Sequence, residues 1–214
     1  MTGELGGGDV FSLGVLDQAA LTLGLDFANT GDLHVDPNPN ERFTSYEAAV
    51  GWAEQAGILS ASQAAGLAAR ARARPEGAAK ALQRIIALRE AVYRIFSAVA
   101  HDREPDPGDI QALHAELGVA LVHLRLIARE DQPFAWAWAG IEDDLASLLW
   151  PVARATAALL TSPQLSRVRE CAGDPCDWLF LDHSKNGSRR WCDMSECGNR
   201  AKARRYRERR KVLG

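Results

Sequence analysis

All four cysteines of this 214-residue chain lie close together near its C-terminal end. Their spacing is C-x4-C-x15-C-x4-C. Zn²⁺ prefers four soft ligands at the corners of a tetrahedron, and two close pairs joined by a short hairpin supply them at little cost in loop closure. Four thiolates also close the coordination shell, so the pattern predicts a structural zinc site; four reduced thiols with no shared metal are the alternative. The predicted zinc ligands are Cys171, Cys176, Cys192 and Cys197.

The net charge of −3 combines two parts of opposite sign. Residues 167–214 contain 13 Lys and Arg against 7 Asp and Glu, a net charge of +6, whereas residues 1–166 contain 12 against 21, a net charge of −9. The opposite charges of the two parts indicate different roles, and the basic part is the one expected to bind phosphate groups. We therefore expect one domain over residues 1–166 and a second over residues 167–214.

The sequence offers no sign of a membrane or a secreted protein. No run approaches the roughly 18 apolar residues of a membrane helix. The first ten residues are acidic and glycine-rich, without the basic start of a signal peptide. We expect a cytoplasmic protein, where thiols stay reduced and are more often metal ligands than disulfides.

Hydrophobic periodicity and helix-start signals predict a mostly helical N-terminal domain with a small antiparallel sheet, an α+β class. Residues 21–27 alternate apolar and small or polar side chains, which favours a strand. Thr44 with Glu47, and Ser60 with Gln63, read as capping boxes that open helices ending near residues 56 and 74. The other predicted elements are a helix from Pro75 to about His101, one over 109–118, a hairpin turning at 129–132, and a last helix over 141–161 kinked at Pro151.

Arg89 lies in the middle of the apolar stripe of the predicted helix from Pro75. It either extends to solvent or pairs with an acidic residue, or its buried guanidinium lines a pocket for an anion. If the N-terminal domain binds a small-molecule effector, the candidate contacts are Asn29, Thr30 and Arg89.

The residues around the cysteines predict the shape of the second domain. Residues 178–181 and 189–191 favour two strands, with turn chemistry at Asn186-Gly187 between them. From about Glu196 the chain should be helical, which places Cys197 in the first helical turn. A knuckle, a hairpin and a helix that carries a ligand form a treble-clef-like zinc domain. So small a module should depend on metal for much of its stability.

The last predicted helix is strongly basic. Only Glu208 opposes its cations from Arg200 to Lys211, and Ala203 with Tyr206 forms a narrow apolar strip that could dock it. Like charges three and four residues apart destabilise an isolated helix, and DNA phosphates would relieve the repulsion. A solvated helix, or one lying on the acidic domain, is the alternative. The predicted nucleic-acid contacts are Arg189, Arg190, Asn199, Arg200, Lys202, Arg204, Arg205, Arg207 and Arg209.

Three segments carry a resemblance to known families. Residues 192–205, CDMSECGNRAKARR, resemble the CGNR zinc-finger family, named for Cys197-Gly198-Asn199-Arg200, and so does CDWLFLD at 176–182. LDFANT at 25–30 resembles the opening motif of the ABATE domain that usually precedes that finger. The resemblance implies a bacterial, stress-related transcription regulator with a structural zinc ion and an N-terminal domain that senses a ligand. The expected partners are DNA, a small-molecule effector and, in a homodimer, a second copy of the chain.

Two other functions compete with this interpretation. Asp182-His183 beside a zinc module resembles HNH nucleases, but those need a further metal ligand on the next helix, and no histidine follows His183. A protein-interaction module, with the basic helix on an acidic partner, is the second. Residues 1–166 contain no glycine-rich phosphate loop or nucleophile elbow, so we expect no enzyme. Gly198 is expected to allow close packing at the metal, whereas Asn199 could bind either backbone or a base.

Overall fold

Helices make up most of the computed structural model, which describes residues 18–31, 41–128 and 134–212. Two small antiparallel sheets complete the predicted α+β class. The elements are α1 (Gln18–Ala28), α2 (Tyr46–Gln55), α3 (Ala61–Ala73), α4 (Pro75–Ala100), α5 (Pro107–His123), β1 (Leu124–Ile127), β2 (Ala135–Trp138), α6 (Leu149–Leu160), β3 (Val168–Glu170), β4 (Leu179–Leu181) and α7 (Asn199–Val212).

Local start signals fix several helix boundaries. The capping box of Ser60 and Gln63 is present at α3, and Pro75 occupies the first turn of α4, as predicted. At α2 the predicted cap is wrong by one residue, because Ser45 rather than Thr44 accepts the hydrogen bond from the Ala48 N–H. The α5 helix starts earlier and ends later than the predicted 109–118, since Asp106 caps it and it continues directly into β1.

The predicted strand at residues 21–27 is wrong, because this segment lies in α1. Packed against α4, α6 and β4, α1 buries Leu21, Leu23, Leu25 and Phe27 together, so the helical period of 3.6 does not appear. Gly24 allows the close approach to α6, since a Cβ there would lie 2.5 Å from Thr156 Oγ1.

The last N-terminal helix begins at Leu149, not at the predicted residue 141. Turns occupy the preceding residues, held by the Ser147 hydroxyl donating to the Ile141 carbonyl and by the Ala146 N–H donating to Asp144. Pro151 therefore lies in the first turn of α6, where it removes no intrahelical hydrogen bond and needs no kink.

The predicted hairpin is confirmed, with Leu124 opposite Trp138 and Leu126 opposite Trp136. Its predicted turn at 129–132 lies outside the described residues. Trp138 approaches the buried Trp150 of α6, and the His123 ring stacks on Trp150 at 3.8 Å between centroids. The hairpin thus closes one side of the helical core.

The strands of the cysteine-rich segment belong to the same core as the N-terminal helices. Val168 in β3 and Leu179 and Leu181 in β4 are buried against it. The β3–β4 pair lies on α4, and β4 also contacts α1. The cysteines that follow β3 and precede β4 are therefore anchored directly to the helical body.

No helix in the described part of the chain combines the length and apolar character needed to cross a membrane.

Candidate metal centre and basic helix

The four predicted cysteine ligands come together in space. Their sulfur atoms all lie within 4.8 Å of one another, and the thiols are free rather than joined in disulfides. Cys192 Sγ lies 3.7 Å from the Sγ atoms of both Cys176 and Cys197. Sulfurs at the corners of a tetrahedron with Zn–S bonds of about 2.3 Å are separated by about 3.8 Å. The geometry and the all-sulfur donor set therefore fit a zinc ion.

The first cysteine pair is placed by β3 and β4. Cys171 directly follows β3, and its N–H donates to the Trp178 carbonyl, which extends the pairing of the two strands. Gly173 lets this loop close on the second pair, because a Cβ there would lie 3.1 Å from Cys197 Cβ and 3.3 Å from Cys171 Sγ. A Cβ at Gly173 would require these atoms to shift by a few tenths of an ångström.

The second predicted strand of the zinc hairpin, at residues 189–191, is wrong. Instead β4 pairs with β3, with Val168 opposite Leu181 and Glu170 opposite Leu179. The N–H of Arg189 donates to the Asp182 side chain instead of to a neighbouring strand. The predicted turn does form, since Gly187 has φ of +61°, a conformation that glycine adopts without strain.

The Asp182 carboxylate holds the loop between the two cysteine pairs. It accepts hydrogen bonds from the N–H groups of Ser184 and Arg189, at 2.8 and 2.9 Å. Burial alone would raise the pKa of Asp182, but hydrogen bonds from Ser184 and Arg189 lower it below its usual value. The buried carboxylate is therefore charged at neutral pH.

Arg189, which is half-buried, stabilises the segment that leads into Cys192. Its guanidinium donates to the Trp191 and Cys192 carbonyls and lies 4.7 Å from the centre of the Phe180 ring. The Cys192 N–H donates in turn to Cys171 Sγ at 3.3 Å. Arg189, predicted to bind nucleic acid, thus makes its described contacts around the second cysteine pair.

Cys197 lies in a π-helical turn, Met194–Gly198, that continues into α7. Asp193 caps this turn by accepting from the N–H groups of Ser195 and Glu196. An aspartate three residues before a glutamate, as in Asp193 and Glu196, is a sequence signal that could have located this cap. The capped turn places a cysteine sulfur directly at the root of the basic helix.

The next two residues of the CGNR sequence have structural contacts. A Cβ at Gly198 would lie 3.0 Å from Sδ of Met194, a side chain that is 49% exposed, so the neighbour of this glycine is Met194 rather than a cysteine. The Asn199 side chain donates to the Ser195 carbonyl at 2.9 Å, which is the backbone role left open by the sequence.

The environment of the thiols varies across the cluster. Burial raises the pKa of Cys176 to about 12, and burial and the neighbouring Cys176 raise that of Cys192 further. Burial would also raise the pKa of Cys197, but hydrogen bonds from Arg200 and the other thiols lower it below its usual value. A cation among the sulfurs would favour the thiolate form of all four.

Helix α7 presents its cations to solvent. Basic residues from Arg200 to Arg210 are exposed along it. The predicted docking strip is wrong, since Ala203 is exposed and Tyr206 is 64% exposed. Instead, Arg204 pairs with Asp174 in the first cysteine loop, and the Arg205 guanidinium lies 5.8 Å from the Trp191 ring, which Arg190 also approaches.

The three proposed effector contacts lie together near the end of α1 but have partners within the protein. Arg89 is 0% exposed and is paired with Glu41 and Glu90, which is the acidic pairing anticipated for it. The Thr30 hydroxyl donates to the Phe27 carbonyl, and the Asn29 amide bonds the backbone of Leu179. This last contact was not predicted, because nothing local marks a partner 150 positions away.

His183, the residue that prompted comparison with nucleases, is exposed. Within the described residues, the four cysteines are the one group of three or more His, Cys, Asp or Glu arranged to hold a metal ion.

Comparison with known proteins identifies two regions. The model of the ABATE family, described as "Putative stress-induced transcription regulator", matches residues 21–163, about two thirds of the chain. The model of the CGNR zinc finger matches residues 167–210. No curated protein matches the sequence. Neither family description names an enzymatic activity, and both confirm the resemblance drawn from the sequence. The chain belongs to the ABATE family and carries a CGNR zinc finger after the ABATE region.

Proposed function

We propose that this protein regulates transcription by binding DNA through α7, with a zinc ion held by its four cysteines fixing the position of that helix. The observation that carries the proposal is the place of Cys197, which lies within the turn that leads directly into α7. One metal ligand and one basic helix are thus consecutive in the chain. Binding of the metal would therefore also fix the orientation of the helix.

Zinc is proposed because of the donor set and its geometry. Four thiolates are soft ligands, and the 3.7 Å sulfur separations match a tetrahedral Zn²⁺ centre. With no open position, the ion has a structural role, and the small apolar cluster at this site consists of the four cysteines with Trp178, Phe180 and Trp191.

DNA is proposed because of the charge and shape of α7. Its 14 residues make a rod about 21 Å long, which a major groove about 12 Å wide can accommodate. Exposed cations on several sides of the helix repel one another in the free protein. Phosphates on both edges of a groove would remove that repulsion and release counterions.

The predicted nucleic-acid contacts divide into two groups by their internal partners. Arg189 and Asn199 contact backbone carbonyls, and Arg200 and Arg204 contact Cys197 and Asp174. We assign these four mainly to positioning. The group assigned to direct DNA contact comprises Arg190, Lys202, Arg205, Arg207 and Arg209, all of which are exposed. Within this group, Arg207 donates to the Ala203 carbonyl of its own helix, and Arg190 and Arg205 lie over the Trp191 ring.

The test is the salt dependence of binding by the intact protein, measured by fluorescence anisotropy with labelled duplex DNA. Replacing both Arg207 and Arg209 with Ala should weaken binding and reduce the slope of log K against log salt by about 0.9 per lost phosphate contact. A matched control replaces Arg72 and Arg103, two exposed arginines of the helical body, and should leave the slope unchanged. An unchanged slope in the α7 variant would contradict the DNA assignment and favour an acidic protein partner.

A small-molecule effector, a homodimer and a cytoplasmic location complete the proposed picture of a regulator. Asn29, Thr30 and Arg89 are the proposed link from an effector to the zinc finger. Asn29, just after α1, bonds to Leu179 of β4, and Arg89 of α4 pairs with Glu41, which bridges Gly31 in the same segment. An anionic effector would have to compete with Glu41 for Arg89. A thermal-shift screen of small anions, with Arg89→Lys as the comparison, tests this part.

A further inference from the structure

Arg200 makes a contact with the cysteine cluster that its place in a basic helix does not predict. It is the second residue of α7, and its Nη2 donates to the Sγ of Cys197 at 2.9 Å. Side chains of an α-helix lean towards its N-terminus, so a long side chain at this position reaches back over the turn that contains Cys197. Lys202, two residues further along, is exposed on the same helix.

A guanidinium suits this position on electrostatic grounds. A divalent ion with four thiolates carries a net charge of −2, and two of these sulfurs, Cys171 and Cys197, lie among protein atoms. Arginine stays charged at all relevant pH values and offers several N–H donors in a rigid plane. A donor on a ligating sulfur neutralises part of that charge and fixes the direction of the ligand.

We propose that Arg200 is a positioning residue of the metal centre: its guanidinium holds the Cys197 thiolate and thereby couples the start of α7 to the bound zinc. This inference rests on the proposed zinc site. Arg189 acts on the same segment differently, since it donates to carbonyl groups before and at Cys192 rather than to a sulfur. Of the two, only Arg200 joins a ligating atom to the helix itself.

The rate of zinc release distinguishes the role of Arg200 from that of its neighbours in α7. A residue that only contacts DNA would alter DNA binding and leave the metal centre unchanged. Loss of Arg200 should speed release of zinc even when no DNA is present, because outer-shell partners of metal ligands typically contribute about 10-fold or more to metal affinity. Loss of Lys202 should have no such effect.

The experiment uses the intact, zinc-loaded protein and its Arg200→Met variant, which keeps an unbranched apolar stem and removes the guanidinium. Zinc transfer to a chromophoric chelator should be about 10-fold faster for this variant than for the wild type. Arg200→Lys, which keeps a charged donor without the planar fork, should fall between them. Lys202→Met is the matched control and should release zinc at the wild-type rate.

A second readout reports on the sulfur directly. With Co²⁺ in place of zinc, the thiolate-to-metal charge-transfer band should shift in Arg200→Met and stay unchanged in Lys202→Met. Wild-type release kinetics and an unshifted band in Arg200→Met would overturn the proposal. If that variant cannot be purified folded, a wild-type release rate in Arg200→Lys overturns it instead.

The result also distinguishes this inference from the function on which it rests. If the wild-type protein holds no stoichiometric zinc, the proposed metal centre itself is contradicted. If the wild-type protein holds zinc and binds DNA, but Arg200→Met releases zinc at the wild-type rate, only the role of Arg200 is contradicted.

Discussion

The side-chain amide of Asn29 forms a pair of hydrogen bonds with the backbone of Leu179, donating to its carbonyl and accepting from its N–H, both at 2.8 Å. Asn29 lies just after α1, in the region matched by the ABATE family, and Leu179 begins β4 in the region matched by the CGNR zinc finger. The Asn29 side chain therefore bonds to both backbone groups of Leu179, as a neighbouring β-strand would. The contact is buried, so water cannot replace it.

Replacing Asn29 with Ala should destabilise the protein by about 2–4 kcal/mol, because it leaves a buried donor and a buried acceptor without this partner. Urea unfolding followed by circular dichroism measures the loss. Asn186→Ala makes the same chemical change at an exposed loop position and should stay within about 0.5 kcal/mol of wild type. Equal stability of the two variants would mean that the Asn29 contact is energetically neutral.

Removing one zinc ligand should disorder only part of the C-terminal region. In Cys192→Ala we expect loss of zinc and rapid hydrogen exchange across α7 and the cysteine loops. The β3 and β4 strands should keep their protection, because Val168, Leu179 and Leu181 are buried in the helical core. Hydrogen exchange read by mass spectrometry checks this, and uniform exchange from residue 167 onwards would show that the strands depend on the metal.

The contact between α1 and α6 at Gly24 should be sensitive to a single methyl group. Gly24→Ala would place a Cβ 2.5 Å from Thr156 Oγ1, so we expect a destabilisation of about 1–3 kcal/mol from overpacking. Thr156→Ala removes that hydroxyl, which has no hydrogen-bond partner among the described residues. The double variant should therefore recover part of the loss, and additive effects of the two changes would argue against a direct clash.

The pairing of Glu41 with Arg89 should make stability depend on acid pH. Burial would raise the pKa of Glu41, but hydrogen bonds from Arg89 and the Phe43 N–H lower it below its usual value. A carboxylate with a lowered folded-state pKa contributes stability that is complete above its unfolded pKa of about 4.3 and is lost as the pH falls through the folded value.

Glu41→Gln should therefore be less stable than wild type at pH 7, by about 1–3 kcal/mol, and the difference should shrink below about pH 4. Urea unfolding of both proteins at several pH values measures this difference and cancels effects common to the two chains. A difference that stays constant from pH 7 to acid would mean that ionisation of Glu41 does not support the fold.

The features that were predictable from the sequence depend on neighbours in the chain. The box at Ser60 and Gln63, the proline that opens α4 and the spacing of the cysteines each reflect chemistry completed within a few residues or within two close pairs. These signals correctly predicted several helix starts and the grouping of the four cysteines. They needed no knowledge of the packing.

The errors arose where distant parts of the chain decide the outcome. Contacts with α4, α6 and β4 bury most of α1 and leave only Asp26 exposed between Leu21 and Ala28, so the leucines of α1 appeared to alternate as in a strand. The turn chemistry at Asn186-Gly187 predicted that residues 189–191 pair with β4, but β3 is the partner of β4 and the Asp182 side chain accepts from the Arg189 N–H. The contact of Arg200 with Cys197 was not predicted either, since a strongly basic helix favours contacts with solvent and phosphate.

The burial of β3 and β4 among the N-terminal helices limits what can be done with this finger in isolation. A fragment beginning at residue 167 would uncover Val168, Leu179 and Leu181 and would leave the backbone of Leu179 without Asn29. Such a fragment is expected to aggregate or to lose the scaffold that carries the first cysteine pair. The finger of this protein is not an interchangeable cassette, and chimaeras that transplant its α7 should include the helices on which those strands lie.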